Sequence, residues 1–232
     1  GARWIAEYIR KRRWPHSPVF RKCFTVGKTP EKAECRICGL GFFELYLNGQ
    51  KVGNDVLTPD FTRYDRHVLY FIYEVTDLLV IGENTLEVRL GNGFFNALEP
   101  DVWQCNGTEW STDPRFILRL EGDGECLAVS DRSWRVAHGP LVFNGMRTGE
   151  KYDARKCLAD WKAGTEPDPE IWQRVYLTDP PGGTLVQMEA PACRMIRRLP
   201  SRSRKALEDG TELFDFGENI SGVTELCVEG EP

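Results

Sequence analysis

The stretch ELYLNGQKVG, residues 44–53, sets an Asn-Gly pair between two runs of alternating apolar and polar residues. Leu45 and Leu47 point to one side, Glu44, Tyr46 and Asn48 to the other, and Val52 resumes the pattern beyond the turn. Asn48 and Gly49 both tolerate positive φ, which a type I′ turn needs at its two centres, and the twist of that turn matches the strands of a hairpin. The stretch therefore predicts a β-hairpin with a buried leucine face.

Outward from this hairpin the same texture continues. VFRKCFTV (19–26), AECRICGL (33–40), FFELYLN (42–48), HVLYFIYEV (67–75), NTLEVRLG (84–91), RFILRLEG (115–122) and ECLAVS (125–130) all read as short strands divided by Gly, Pro, Asn and Asp. Helical character is confined to a single turn at Thr76-Asp77-Leu78-Leu79, with Thr76 as the expected cap and Gly82 as the stop. After that turn Leu86, Val88 and Leu90 are expected to face the core, Glu87 and Arg89 the water. The fold class is all-β, an antiparallel β-sandwich of jelly-roll-like character. TDPPGGT (178–184) cannot continue a strand ladder and marks a boundary. The expected organisation is a leader over 1–17, the sandwich over 18–178, and the truncated start of a second β-domain over 179–232.

Bulk composition excludes several classes. A net charge of −5 over 232 residues argues against a nucleic-acid or anionic-membrane partner. The basic run Arg10-Lys11-Arg12-Arg13 reads as a solvated leader, since no second basic cluster flanks it. No apolar run approaches the roughly 20 residues of a membrane helix. The first residue is Gly, not Met, and an export signal removed by processing would leave such a start, so the compartment stays open. Of the eight cysteines, Cys35 and Cys38 form a CxxC, but within a strand residues three apart face opposite sides. With no second ligand pair nearby, they read as core thiols and not as a zinc or redox site. No cofactor is expected.

Four motifs in order resemble a known family. GLGFFELYLNGQKVGNDVLTPDFTRYDRHVLYFIYEVTDLL followed by GENTLEVRLGNGFF is similar to the N-terminal β-sandwich of bacterial α-L-rhamnosidases of glycoside hydrolase family 78. GEKYDAR (149–155) matches a signature of that family, and FDFGENISG (214–222) resembles the turn that opens its next β-domain. The resemblance covers about residues 18–230. It implies a modular enzyme that removes terminal rhamnose, with catalytic carboxylates in a downstream (α/α)6 barrel that these residues do not contain. The implied partner is that barrel. Related sandwiches that bind rhamnose through calcium carry Asp-Asn before the equivalent of the LYLNG strand. Leu40-Gly41 stands here, so the resemblance implies no calcium site.

The residues themselves give no catalytic constellation. Glycoside hydrolysis needs two carboxylates held about 5–10 Å apart, and among 35 Asp and Glu residues no motif singles out a pair. His16, His67 and His138 are scattered, and no G-x-S-x-G occurs. DFG at 215–217 lacks every companion motif of a kinase, and GLG at 39–41 precedes a strand, not a helix. The candidate binding segment is GNGFFNALEPDVWQCNGTEW, residues 91–110. Phe94, Phe95, Trp103 and Trp110 supply aromatic faces, while Asn92, Asn96, Glu99 and Asp101 supply groups for hydroxyls, the mixture that holds a sugar ring. The favoured reading is that these aromatics plug one end of the sandwich or pack on the missing barrel. The alternatives are an autonomous carbohydrate-binding module, or the sugar-binding jelly roll of a β-galactosidase-type enzyme.

Overall fold

The computed structural model describes residues 1–7, 16–100, 102–159 and 167–227. The chain forms two compact units, Gly1–Cys193 and Arg194–Pro232.

The first unit is a two-layer sandwich. Its larger sheet holds β1 (Ile5–Ala6), β3 (Ala33–Leu40), β6 (His67–Glu74), β8 (Arg115–Gly122), β9 (Glu125–Val129), β14 (Tyr176–Leu177) and β15 (Thr184–Gln187). Their order is β14-β1-β8-β3-β6-β15, with β9 also pairing to β8. The second sheet holds β2 (Pro18–Val26), β4 (Phe43–Leu47), β5 (Gln50–Lys51), β7 (Gly82–Leu90), β10 (Arg135–His138) and β13 (Gln173–Arg174), in the order β13-β10-β2-β7-β4-β5. A separate hairpin joins β11 (Leu141–Gly145) to β12 (Gly149–Tyr152). In the second unit β16 (Ser203–Ala206) and β17 (Glu212–Asp215) form an antiparallel pair.

Alternation sorts the side chains as the sequence dictates. Leu45 and Leu47 of β4, and Leu86, Val88 and Leu90 of β7, are buried against Ile37, Phe71, Phe116 and Leu118 of the facing sheet. The period-2 pattern thus delivers one apolar face from each sheet to a common core. Cys35 lies in this core, whereas Cys38 lies in a second cluster with Trp4, Leu40, Tyr64, Val68 and Phe95. Both thiols are free, and burial pushes that of Cys35 up to about 12 and that of Cys38 up as well.

The Asn48-Gly49 turn has φ of 53° and 79° at its centres, as type I′ requires. Its side chain also locks two turns together. Asn48 donates to the Leu78 carbonyl (2.8 Å) and to Asn84 Oδ1 (2.9 Å), and accepts from the Thr85 N–H (2.9 Å). Asn84, buried in β7, donates to the carbonyls of Val80 and Gly82 and accepts from the Val80 N–H. One amide pair therefore closes both the hairpin and the connection after the helical turn.

Two local expectations are corrected. The single helical turn exists, as a 3-10 turn over Thr76–Leu78, but Thr76 does not cap it. The Thr76 hydroxyl accepts from the Ala33 N–H (2.7 Å), and its own N–H is taken by Glu74 (2.9 Å). Glu87 does not face water: it is 7% exposed, because chain packed over the outside of the second sheet covers it. Among the described residues the sandwich is antiparallel, as expected, but for one pair at the edge of the larger sheet. Beyond the PPGG turn β15 pairs parallel with β6, Thr184 opposite His67 through Gln187 opposite Tyr70. The Val56 N–H then donates to the Cys193 carbonyl, so the chain stays on the sandwich to that point.

Candidate functional site

The outer face of the second sheet forms the floor of a cleft of about 530 Å³. Register places Glu87 of β7 between Arg21 of β2 and Tyr46 of β4, with Arg89 opposite Glu44 in the next row. Period 2 turns all five side chains away from the core. They form one ladder. Glu87 accepts from Arg21 Nε (2.9 Å) and Nη2 (2.5 Å) on one side and from Arg89 Nε (2.7 Å) on the other. Arg89 stacks on the Tyr46 ring at 4.3 Å, and the Tyr46 hydroxyl donates to Glu44 (2.8 Å), which also accepts from Lys51 (2.5 Å). Burial disfavours the Glu44 charge, yet Lys51 and Tyr46 outweigh it and hold the carboxyl below its ordinary range. Burial and Glu44 together push the Tyr46 phenol up to about 12, so it remains a donor at neutral pH.

The β11–β12 hairpin and the chain after it roof this floor. Asp153, in the GEKYDAR stretch, accepts from the Arg155 N–H (3.2 Å) and Nε (2.8 Å), while its own N–H donates to the Pro140 carbonyl (2.8 Å). Asn144 sews the hairpin to the start of the 91–110 loop. Its Oδ1 accepts from the Asn92 N–H (2.7 Å), and its carbonyl accepts from Asn92 Nδ2 (2.9 Å). Asn96 in turn donates to Asn92 Oδ1 (2.7 Å). Gly41 permits this arrangement, since a Cβ there would overlap the Asn92 carbonyl. Phe42, Val56, Leu57, Leu141 and Leu158 supply apolar walls, and Tyr152 stands at 66% exposure on the hairpin.

The structure separates the residues of the 91–110 candidate. Asn92 is enclosed by the bonds just described, and Phe95 is fully buried against Tyr64 (ring centroids 5.2 Å). Trp110 is half-buried on the same tyrosine (6.1 Å). Phe94 packs edge-on to Phe42 and Phe61 at 6.3 and 5.4 Å. Glu99 is exposed, and Trp103 is 63% exposed with the Arg147 guanidinium 4.3 Å over its ring. Asp101 lies outside the described residues. The exposed Phe61 extends the aromatic surface beside Phe94 and Tyr64, and the exposed Leu57 belongs to the cleft wall. Among the described residues no group of three His, Cys, Asp or Glu could hold a metal ion, and no helix is long and apolar enough to cross a membrane.

The cleft residues were not singled out from sequence. Arg21, Glu44 and Glu87 come from three strands spread across the chain, and alternation assigns each to solvent. The sequence marks part of the roof, through the GEKYDAR stretch, but nothing in it marks the floor.

The fold and cleft define a two-sheet β-sandwich domain whose outer face is strapped by a hairpin. The chain belongs to the α-L-rhamnosidase N-terminal domain family, which matches over residues 28–197. It is 34% identical over 224 residues to an α-L-rhamnosidase of Formosa agariphila, covering 90% of this chain and 22% of that protein. The structure of an α-L-rhamnosidase from Dictyoglumus thermophilum superposes with a TM-score of 0.80 at 31% identity, over 94% of this chain and 26% of that one. The native enzyme of Aspergillus terreus gives 0.83 at 27% identity over the same shares. The chain thus spans about a quarter or less of the length of these relatives.

Proposed function

We propose that this chain is a non-catalytic β-sandwich region of an α-L-rhamnosidase that removes terminal rhamnose from glycans or glycosides. Its task is to brace the catalytic part of that enzyme. The observation that carries this reading is the family match across the sandwich in a chain that is a fifth to a quarter of its relatives' length. The cleft chemistry agrees. A general acid needs a raised carboxyl pKa, whereas Glu44 is held down by Lys51 and Tyr46, and Glu87 is occupied by two guanidinium groups. The exposed Leu57, Phe61 and Trp103 offer the apolar end through which bracing would act.

Two measurements test the reading. The chain should not hydrolyse an aryl α-L-rhamnoside above buffer background. In sedimentation it should self-associate through the apolar end, and Phe61→Ser with Trp103→Ser should return it to monomer. Turnover by the chain alone refutes the non-catalytic role, and a monomeric parent chain refutes the bracing surface.

A further inference from the structure

We infer that Glu7, His16 and His138 form an acid-sensitive latch across one lateral edge of the sandwich, and that this edge loosens on mild acidification. The device is independent of the bracing role above.

The edge is built from very short strands. β1, β13 and β14 have two residues each. β14 pairs with β1 at the margin of the larger sheet, and β13 pairs with β10 at the margin of the second. Val175, between β13 and β14, carries the chain from one sheet to the other and is buried in the core. Few backbone hydrogen bonds hold strands of this length, so local opening starts at such a place.

Side chains close it. Glu7, directly after β1, pairs through Oε1 with Nε2 of His138, the last residue of β10, and so ties the larger sheet to the second. His138 stands opposite Pro18 in the register of β10 with β2, which brings His16 alongside. The two imidazole rings stack with centroids 5.0 Å apart and planes 12° from parallel.

The cluster therefore sets two bases against one acid, and Lys156, in the turn after β12, adds a positive charge beside His16. A proton on each ring places two imidazolium ions face to face, with the Glu7 carboxylate alone among these groups to offset them. Burial first, then His138 and Lys156, hold the His16 ring below its ordinary 6.5, while Glu7 opposes them. A histidine lowered in the fold binds its proton more readily when released. The stability it contributes is thus present above 6.5 and is lost as pH falls below that value. The run Arg10-Lys11-Arg12-Arg13, between Glu7 and His16 in sequence, keeps its charge throughout this range, and ordinary carboxylates titrate lower. Histidine is the group that changes.

The test is hydrogen exchange of the chain at about pH 7.5 and about pH 5.5, corrected for intrinsic rates and read by mass spectrometry. Residues 1–7 and 172–178 should lose about five-fold or more of their protection at the lower pH, while residues 84–90 of β7 keep theirs. His16→Gln, which is polar and does not titrate, should remove most of that loss. His67→Gln, at the exposed third histidine, should leave it as in the parent. In an NMR titration, His138→Gln should move the His16 ring up toward 6.5, because the neighbouring imidazolium is gone. If His16→Gln does not fold, that titration decides alone. Protection that is flat with pH, a loss shared equally by residues 84–90, a loss unchanged by His16→Gln or removed by His67→Gln, or a His16 midpoint unmoved in His138→Gln overturns the inference.

Discussion

Replacing Asn84 by Ala should loosen the sandwich at the point where two turns are tied together. The side chain is 1% exposed and takes part in four hydrogen bonds, to Asn48, to the Val80 N–H and to the carbonyls of Val80 and Gly82. A typical intramolecular hydrogen bond contributes about 0.5–1.5 kcal/mol net, and a buried group left unsatisfied costs more. Val80 and Asn48 are exposed, so water recovers part of the loss, and each bond belongs near the lower figure. The expected destabilisation is about 2–3 kcal/mol. With a urea m-value of about 2–3 kcal/mol/M, the unfolding midpoint should fall by about 1 M. Asn84→Asp should fare no better, because it forfeits both donors and sets a carboxylate beside two carbonyls. A double-mutant cycle with Asn48→Ala should return a coupling of about 0.5–1.5 kcal/mol, the value of the direct 2.9 Å bond. A midpoint within experimental scatter of the parent, or a coupling of zero, refutes the lock.

Gly49 holds φ of +79°, so Gly49→Val, a β-branched residue in the left-handed region, should cost about 1–2 kcal/mol or more by urea denaturation. The Asp153 carboxyl is pushed down to about 2, first by its hydrogen bond from Arg155. A depressed carboxyl contributes stability that is present above its unfolded value of about 4 and is lost as pH falls toward 2. The Asp153 carboxyl carbon should therefore titrate below pH 3 by NMR, and return toward 4 in Arg155→Ala. Under native conditions maleimide should label the exposed Cys126, Cys157, Cys193 and Cys227, while Cys35, Cys38 and Cys105 react after unfolding; fast native labelling of Cys38 would contradict its placement in the Tyr64 cluster.

What was legible in the sequence was local. Alternation over residues 43–47 and 82–90 and the Asn48-Gly49 pair act within a few residues, and the sheet follows them. The four ordered motifs carried the family. The cleft was hidden, because burial of Glu87 depends on chain packed across its face and not on anything beside it in sequence. The same holds for Thr76, whose hydroxyl is claimed by Ala33 from another strand before it can cap its own turn. The parallel pairing of β15 was equally hidden, since the four residues TLVQ pair with a strand more than a hundred positions earlier.

Two-residue β1 carries a temporal consequence. It sits between β8 and β14, with Ile5 opposite both Phe116 and Leu177, so the larger sheet is completed by segments from both ends of the domain. During synthesis at about 5–20 residues per second, Ile5 waits roughly 10–30 s for Leu177 to be made. Through that interval the free edge of β1, next to the fully buried Phe116, has no strand beside it. A nascent chain of this design has to be sheltered, or kept slow to collapse, until β14 arrives to cover that edge. Any shortened version that stops before Tyr176 keeps that edge open for good.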